Sequence, residues 1–503
     1  MCCIIRSAMR KVTINDTDET FGPKETTILK RGKGWNPFLL VIVSFIVVIV
    51  VGTILLVMPF SLKSGVPYPK DAPSWFSHLL DCFFVATSAT CVTGLNTFKD
   101  GLAGTFNMFG QIVVLIMIQI GGLGFITVLS FFLTLFSRHV EFKNKLFLAQ
   151  ATGSTSFGKV VYFVRKIIII SFSMQIIGAI AVFPAYYQIA AVHSSTVAET
   201  VKNAIWPAFF HSASAFNNAG FDILGSASLL RDSEALKDIP NWAYNYLLIV
   251  TMILIIIGGI SFLVILDVLS FKRFRQYKVF TKIVLLTTGV LLVLGTLLFA
   301  LFECTKPTNP MNFLDALFQS VTCRTAGFAS YDQTQLSIGG RIVSCLLMFV
   351  GGSPLSTAGG IKTTTIFMVG LALVSYVSGR EVSAFKRTYS SRMVLKAMSV
   401  VTIAIIVVIT AYGAISAIEF DNPSIDDQNR AGFLFFESFS AFGTVGLSAD
   451  ITPKLRWGSK LIIIVLMFLG RLGPMTMFQV FQSNMDKKSK LHYSYVEEDF
   501  LIG

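Results

Sequence analysis

The stretch SFSAFGTVGLSAD, residues 438–450, joins an aromatic, nearly uncharged run to a polar turn, and its glycine lies beside sequence that is apolar enough for a membrane. Three further stretches have the same design. They are FFVATSATCVTGLNTF at 83–98, FFHSASAFNNAGFDIL at 209–224 and LFQSVTCRTAGFASYD at 317–332. Each reads as a helix of about 12 residues, too short to cross a bilayer, followed by a glycine and then Leu or Phe. We therefore predict an internal fourfold repeat.

The composition indicates a polytopic membrane protein. Of 503 residues, 53% are hydrophobic and only 14% are charged, and the mean hydropathy is +0.69, which is too apolar for a soluble enzyme. A helix needs roughly 20 apolar residues to span a bilayer. The eight predicted spans are Pro37–Phe60, Phe109–Phe136, Val160–Ala185, Trp242–Leu269, Phe280–Phe302, Arg341–Tyr376, Met393–Ile418 and Leu461–Val480. The leader before them carries mixed charges and does not resemble a cleavable secretory signal.

The formal charge of +13 follows the pattern of a membrane topology. Basic residues collect in the linkers 137–160, 271–282 and 377–396, whereas the linkers between them are close to neutral. Because cytoplasmic loops of membrane proteins accumulate Lys and Arg, this alternation argues against nucleic-acid binding and predicts that both termini are cytoplasmic. The seven cysteines are scattered, and they indicate neither a disulfide framework nor a zinc site.

Each helix that closes a repeat carries a glycine cluster. The clusters are Gly121-Gly122, Gly258-Gly259, Gly351-Gly352, and Gly470 with Gly473. Any one pair is typical of close helix packing in a membrane. Four clusters at matching places indicate a shared architectural role.

The four loops that follow the short helices favour a pore. Non-helical backbone at membrane depth is tolerated only where it is buried in protein or lines a water-filled cavity. Rings of backbone carbonyls can replace the hydration shell of a cation, and glycine leaves no side chain in the lumen. A single loop such as Thr444–Leu447 could equally be a helix C-cap on a re-entrant segment. Four loops in register favour an ion selectivity filter.

We therefore predict an all-α polytopic membrane protein with eight spanning helices. Its four pseudo-fourfold repeats each comprise an outer helix, a re-entrant pore helix with a filter loop, and an inner helix. The predicted segments are a cytoplasmic leader at 1–34, pore repeats at 35–136, 137–270, 271–376 and 377–482, and a cytoplasmic tail at 483–503.

The loop sequences resemble the degenerate potassium-channel filters of the Trk/Ktr/HKT cation transporter superfamily, closest to the membrane subunit of bacterial Ktr systems, the KtrB type. Further similarity lies in NPFLLVIVSFIVVIVVGTILLVMPFSLKSG at 36–65, GGSPLSTAGGIKTTT at 351–365, GRLGPMT at 470–476 and YSYVEEDFLIG at 493–503. The resemblance implies that potassium binds as the permeant ion at the filter residues, with no organic cofactor. Those residues are Val92, Thr93, Gly94, Leu95, Asn218, Ala219, Gly220, Phe221, Thr325, Ala326, Gly327, Phe328, Thr444, Val445, Gly446 and Leu447. A glycine in all four loops goes with potassium preference in this superfamily.

The segment Gly351–Thr365 interrupts an apolar span with glycine, proline and serine, so the helix is expected to break there. The alternative is a merely kinked helix. The resemblance implies an intramembrane gate built from Gly351, Gly352, Ser353, Gly359, Gly360, Lys362 and Arg471. Arg471 lies inside the last span, where a charge is costly, and could instead extend to the membrane interface. Asp81, Asp315 and Glu437 start or lie within the short helices and could cap them or attract cations.

The predicted function is potassium uptake through a channel-like pore in the cell membrane. The resemblance implies a homodimer embedded in membrane lipid and gated by a cytosolic nucleotide-binding ring of RCK-type subunits, the KtrA/TrkA type, with no nucleic-acid partner. One alternative is a sodium-coupled secondary transporter of potassium or another small solute, although repeats of one orientation disfavour an inverted-repeat transporter. A membrane enzyme is disfavoured because the five histidines show no metal-ligand spacing with carboxylates and no nucleophile motif occurs.

Overall fold

The computed structural model describes residues 37–69, 71–124, 157–192, 194–225, 228–233, 235–270 and 273–473. The predicted leader, the linker at 137–156 and the C-terminal tail therefore lie outside the described residues. So do the second half of the span Phe109–Phe136 and the end of the span Leu461–Val480.

The described chain is mostly helical. Its helices are α1 (Pro37–Val57), α2 (Ala72–Cys91), α3 (Gly101–Thr105), α4 (Met108–Leu123), α5 (Phe157–Ala191), α6 (Val197–Asn217), α7 (Asn241–Gly259), α8 (Phe262–Val268), α9 (Val279–Phe299), α10 (Phe313–Thr322), α11 (Ile338–Phe349), α12 (Thr363–Ser378), α13 (Ser391–Ile418), α14 (Arg430–Gly443) and α15 (Trp457–Leu472). A π-helical turn, Ala300–Cys304, extends α9.

Four of the described helices are long and apolar enough to cross a membrane. They are Val164–Ala191 within α5, all of α7, α9 with its π-helical extension, and α13. Their outer surfaces expose large aliphatic side chains: Ile180 on α5 is 70% exposed and Val293 on α9 is 61% exposed. Helices with such surfaces are stable in hydrocarbon and not in water. The chain is a membrane protein.

Two predicted spans differ from the observed helices. The prediction of one continuous helix over Trp242–Leu269 is wrong, because the helix ends at Gly259 and Ser261 caps α8 by accepting a hydrogen bond from the Leu263 amide at 3.3 Å. Within the described part of the span Phe109–Phe136, α4 ends at Leu123 and Gly124 has a φ of 74°. Left-handed glycine is a common helix terminator. The break in Arg341–Tyr376 falls at residues 350–362, as the glycine-rich sequence predicts.

The helices α2, α6, α10 and α14, here called the central helices, hold the four aromatic-rich stretches. The predicted length of about 12 residues is wrong for the first two, which have 20 and 21 residues, against 10 and 14 for the others. The extra turns lie at the N-terminal ends. There a proline follows Ala72 in the first turn of α2, and Thr196 caps α6 by accepting from the Glu199 amide at 3.4 Å.

Corresponding aromatic side chains anchor the central helices in the core. Each aromatic-rich stretch begins with Phe-Phe, or with Leu-Phe in α10, and the second residue of this pair is almost fully buried. Phe84, Phe210 and Phe318 are 0% exposed, and Phe436 is 1% exposed. Each central helix packs against the helix that closes its repeat, namely α4, α7, α11 or α15, here called the closing helices. The central helices therefore form the middle of the described fold, and apolar long helices lie outside them.

A small hairpin of strands β1 (Ser383–Ala384) and β2 (Arg387–Thr388) lies between α12 and α13. Its two turn residues, Phe385 and Lys386, both have positive φ, which is the twist that a two-residue hairpin turn requires. The hairpin carries part of the basic linker 377–396, and its charged side chains are exposed.

Candidate ion pathway

The four loops after the central helices share an unusual backbone conformation. The residue two positions before each loop glycine is left-handed, with φ of 58° at Val92, 57° at Asn218, 71° at Thr325 and 51° at Thr444. The glycines themselves have φ of 101°, 67°, 85° and 95° in chain order. Left-handed backbone is costly for non-glycine residues, so the surrounding structure must hold these loops in place. We call residues 92–95, 218–221, 325–328 and 444–447 the central loops.

Three central loops end their helices with the same pair of hydrogen bonds. In the first, the Val92 amide donates to the Ala89 carbonyl at 3.1 Å and the Thr93 amide to the Ser88 carbonyl at 2.8 Å. The second and fourth loops repeat this pattern at distances within 0.1 Å. It is the arrangement of a Schellman cap. In the first and fourth loops, a serine hydroxyl also accepts from the glycine amide, Ser88 from Gly94 and Ser440 from Gly446, both at 3.1 Å.

In the third repeat, the stretch from the central helix to the loop glycine is one residue shorter. The glycine follows Ser88, Ser214 and Ser440 by six residues, but Thr322, the matching residue of α10, by five. Its capping therefore differs: the Ala326 amide donates to the Thr322 carbonyl at 3.0 Å, and the Thr322 hydroxyl donates to the Phe328 carbonyl at 2.6 Å.

The four loops close into a ring. Each glycine lies so near the carbonyl oxygen of the residue before the next loop's glycine that a side-chain carbon would collide with that oxygen. The pairs are Gly94 with Ala219, Gly220 with Ala326, Gly327 with Val445, and Gly446 with Thr93. The last pair returns to the first loop. The structure thus brings all four predicted glycines together around one axis, in chain order.

The other predicted filter residues support this ring from behind. Leu95, Phe221, Phe328 and Leu447, which follow the glycines, are at most 3% exposed. The hydroxyl groups of Thr93, Thr325 and Thr444 are buried and make no hydrogen bond among the described residues. A buried hydroxyl without a partner is costly. The arrangement leaves backbone carbonyls and these hydroxyls as the polar groups of the ring.

One side of the ring opens into a cavity of about 530 Å³. The four loop glycines line it together with three carboxylates from three repeats, Asp222, Asp332 and Asp450. The first repeat contributes Lys99 instead. Asp222 is buried, and this burial raises its pKa to about 6, while hydrogen bonds from the Leu224 amide and the Ser228 side chain oppose the rise. A cavity with this lining can hold hydrated cations next to the ring.

The glycine clusters of the closing helices have a packing role. At Gly121, Gly258 and Gly470, any side chain would collide with a carbonyl oxygen at the end of the central helix of the same repeat: that of Thr90, Phe216 or Phe442. Each of these three carbonyls lies two residues before the left-handed residue of its loop. Glycine therefore lets each closing helix approach the base of a central loop. In the third repeat, Gly351 lies instead against the carbonyl of Gly359.

Residues 350–362, here called the connecting segment, form a non-helical insertion between α11 and α12 on the other side of the ring. Val350 pairs with Ile361, which brings the two ends of the segment together. The segment is held to the broken end of α7: the Ser353 amide donates to the Gly259 carbonyl at 3.1 Å, and the Phe262 amide donates to the Leu355 carbonyl at 2.9 Å.

The remaining predicted gate residues lie within or beside this segment. Gly359 lies so close to the Thr444 hydroxyl of the fourth loop that a side chain would collide with it. The Gly352 carbonyl accepts from the Thr363 amide at 3.1 Å, and Gly360 has a φ of 63°. The Lys362 ammonium donates back to the Ala358 carbonyl at 2.8 Å. The segment thus lies directly against the ring.

Arg471 connects two closing helices, α15 and α4, to the connecting segment. One guanidinium nitrogen donates to the Thr357 carbonyl at 2.5 Å, and the other donates to the Gly121 carbonyl at the end of α4. The side chain therefore bonds to backbone carbonyls inside the fold, and the alternative in which it extends to the membrane interface is not observed. A fixed positive charge at this position adds to any barrier for cations.

The acidic residues of the central helices have separate structural partners. Asp81 lies in the middle of α2 and forms an ion pair with Lys460 of α15 at 2.6 Å, which joins the fourth repeat to the first. It does not cap its helix. Asp315 lies in the first turn of α10, as a cap or dipole partner would. Glu437 is buried in α14 and accepts from the Thr452 hydroxyl.

The sequence interpretation missed three residues of this site. Thr357 bonds to two repeats besides its own, and Lys460 pairs with Asp81. Arg324 is buried immediately before the third loop, with one nitrogen 3.5 Å from the Gly351 carbonyl. Lys460 and Arg324 are charges in apolar surroundings, a signal that was available in the sequence. A threonine in a polar segment gives no such signal.

Comparison with known proteins agrees with this geometry. The family model described as TrkH: Cation transport protein matches residues 32–493. The chain belongs to this family. It is 34% identical over 486 residues to the potassium/sodium uptake protein NtpJ of Enterococcus hirae, with 95% of this chain and 100% of that protein covered. It is 33% identical over 464 residues to the Ktr system potassium uptake protein B of Bacillus subtilis, with 90% and 94% covered.

A solved structure shows the same fold. The crystal structure of the potassium transporter TrkH from Vibrio parahaemolyticus superposes with a TM-score of 0.62 at 18% identity, covering 90% of this chain and 86% of that one. The resemblance to the Trk/Ktr group that the loop and gate motifs indicated is confirmed. Because the family and these relatives are transport proteins, the chain is a transporter and not an enzyme.

Proposed function

We propose that this chain carries potassium into the cell through a channel-like pore whose selectivity filter is the ring of central loops. The observation that carries the proposal is the closed ring, in which each loop glycine lies against a carbonyl oxygen of the next loop. A dehydrated cation needs oxygen ligands in place of its hydration shell, and a ring of backbone carbonyls can supply them. The names of relatives with 33–34% identity that cover nearly the whole chain support potassium as the ion.

The proposed architecture is the fourfold one. Each repeat contributes an outer helix, a central helix with its loop, and a closing helix, with the boundaries at 35–136, 137–270, 271–376 and 377–482. Eight spanning helices follow from counting the outer and closing helices. The shorter apolar helix α11 completes its passage with the non-helical connecting segment beside the pore, where such backbone is tolerated.

The proposed gate is the connecting segment together with Arg471. It lies beneath the ring, and Arg471 holds it by a hydrogen bond to the Thr357 carbonyl. Movement of the segment would open the pathway that it blocks. The cause of the movement would be a cytosolic RCK-type ring that binds nucleotide, and the relatives named as Ktr system proteins support such a partner. We further propose a homodimer in the cell membrane with both termini in the cytoplasm.

A sodium-coupled transporter is a second candidate, because one relative is named as a potassium/sodium uptake protein. Flux measurements separate the two. The chain is reconstituted in liposomes with potassium inside and out, with and without sodium, and potassium uptake is followed as the electrical driving force is set. The channel-like proposal expects potassium flux without sodium. Flux that needs sodium would support coupling, and absence of any potassium flux would contradict both.

The same proposal predicts a growth phenotype. A bacterium that lacks its own potassium uptake systems should grow at low potassium when it expresses this chain, and better when an RCK-type subunit is added. Equal growth with and without that subunit would contradict the proposed partner while leaving the pore intact.

A further inference from the structure

Thr357 occupies a unique position in the connecting segment. Its side chain is 0% exposed, and its hydroxyl lies within hydrogen-bond distance of two carbonyls of the second repeat, that of Gly258 at 2.9 Å and that of Phe216 at 3.2 Å. Its own carbonyl accepts from Arg471 of the fourth repeat. One residue of the third repeat thus contacts the second and fourth repeats at once.

The Phe216 carbonyl is itself part of the second loop's foundation. It lies among the last carbonyls of α6, which have no partner within the helix, and only two residues before left-handed Asn218. The corresponding carbonyls of Thr90 and Phe442 also lie against a closing-helix glycine. Among the described residues, however, neither of those two receives a hydrogen bond. Of these three helix-end carbonyls, the Phe216 carbonyl is therefore the one that accepts a hydrogen bond from the connecting segment.

From this asymmetry we propose that the Thr357 hydroxyl couples the gate to the second quarter of the selectivity filter. While the segment is in place, the single hydrogen of the hydroxyl is shared between the Gly258 and Phe216 carbonyls, which ties the base of loop 218–221 to the end of α7. When the segment moves, the Phe216 carbonyl loses its donor, and the base of the second loop loses a hydrogen bond that has no counterpart, among the described residues, at the Thr90 and Phe442 carbonyls. The position of the gate thereby sets the ion discrimination of the pore. This inference rests on the proposed function of the ring and the segment.

The test uses Thr357→Val, which keeps the shape of the side chain and removes the hydroxyl, and Thr357→Ser, which restores it. The control is Ser356→Ala, because the Ser356 hydroxyl bonds only within the segment, to the Ser353 carbonyl at 2.7 Å and the Ala358 amide at 3.3 Å. Potassium and sodium fluxes are measured in liposomes with matched amounts of protein. Should Thr357→Val not assemble, Thr357→Ala takes its place.

Loss of the hydroxyl is expected to raise potassium flux about three- to tenfold, the effect of one buried hydrogen bond on the closed state. The ratio of potassium to sodium flux should fall at least about twofold, because the second loop is released. Thr357→Ser and Ser356→Ala should match the parent protein. A rise in flux with an unchanged ion ratio would overturn the coupling, as would equal effects of Thr357→Val and Ser356→Ala.

Failure of the proposed function has a different signature. If the parent protein carried no potassium, the pore proposal would fail. The contact of the Thr357 hydroxyl with the Phe216 carbonyl would then be tested by the rates of amide hydrogen exchange in residues 350–362 and 214–221. Thr357→Val should then speed exchange in both stretches. Faster exchange in the connecting segment alone would show that its hydroxyl does not support the second loop, and the coupling would be rejected.

Discussion

The third quarter of the ring and the other three reach the same backbone conformation by different routes. Loops one, two and four use a Schellman cap and pack the base of the central helix against a glycine of the closing helix. In the third repeat, the stretch from the helix to the loop glycine is one residue shorter, and the Thr322 hydroxyl donates to the loop at Phe328. Its closing-helix glycine, Gly351, lies against the Gly359 carbonyl of the connecting segment and not against the central helix.

This difference separates two requirements of the molecule. The ring needs four loops with equal backbone geometry, and this is maintained in all four repeats. The gate needs a long non-helical segment that reaches the ring from a closing helix. Among the described residues, only the third repeat provides one, the connecting segment between α11 and α12. Near-identical backbone in unequal surroundings lets a fourfold filter operate with a single, asymmetric gate.

The largest effect is expected where a closing-helix glycine meets a carbonyl. Gly470→Ala would place a methyl group on the Phe442 carbonyl oxygen, and a shift of two packed backbones is required. Overpacking of this kind costs about 1–3 kcal/mol. We expect a clearly lower melting temperature in detergent and less assembled protein. Both are measured by fluorescence-detected size-exclusion chromatography after heating.

The matched control for that change is Gly413→Ala in α13, where an added methyl group meets nothing within 4 Å. Alanine is the better helix former by up to about 1 kcal/mol, so this variant should be as stable as the parent or slightly more so. Equal melting temperatures for the two variants would show that the closing-helix glycines are not required for close packing.

The next largest effect is expected from removing the part of the third repeat that has no counterpart in the others. Deletion of Ser353–Gly359 leaves Gly352 and Gly360 to be joined, and the pairing of Val350 with Ile361 already brings these ends together. Potassium flux in liposomes should rise roughly tenfold or more, since all hydrogen bonds from the segment to α7 are lost. Flux should also depend less on an RCK-type partner.

Arg471→Gln should act in the same direction as the deletion but more weakly, because it removes one contact of the segment. Its liposome flux should lie between those of the parent and the deletion variant. A deletion variant that assembles normally and conducts no faster than the parent would show that residues 353–359 are structural, and the gate assignment would be withdrawn.

A third comparison concerns the ring itself. Gly94→Ser would place a side chain against the Ala219 carbonyl at a φ of 101°. We expect discrimination of potassium over sodium to fall about tenfold, because one carbonyl of the ring is displaced. The control is Gly65→Ser, which has a φ of 100° and no atom within 4 Å of the added carbon. It carries the same backbone strain without the ring contact, so unchanged ion ratios for both variants would contradict the filter assignment.

The sequence predicted the parts of this site that repeat. The four glycines and the residues two positions before them could be found because aromatic-rich stretches recur with the same ending. The segment Gly351–Thr365 could be found because proline and clustered glycines disfavour a continuous helix. The ring could not be found in this way, since a contact such as Gly446 with Thr93 joins residues more than 350 positions apart. Helix lengths were wrong where local capping, as by Thr196 before α6, extends a helix beyond its aromatic core.

The smallest effect is expected from the serines that support the loops. These serines test whether loops one and two, which share the same helix cap, are stabilised to the same extent. The Ser88 hydroxyl accepts from the Gly94 amide, whereas the Ser214 hydroxyl, at the same position of the second repeat, is buried and has no partner among the described residues. Ser88→Ala therefore removes a hydrogen bond of about 1 kcal/mol, and Ser214→Ala removes none. The potassium-to-sodium flux ratio should fall about twofold to fivefold in Ser88→Ala and stay at the parent value in Ser214→Ala, measured in the same liposomes. Equal losses in both variants would mean that the loops depend on side-chain volume at this position, and the hydrogen bond to the glycine amide would carry no part of the selectivity.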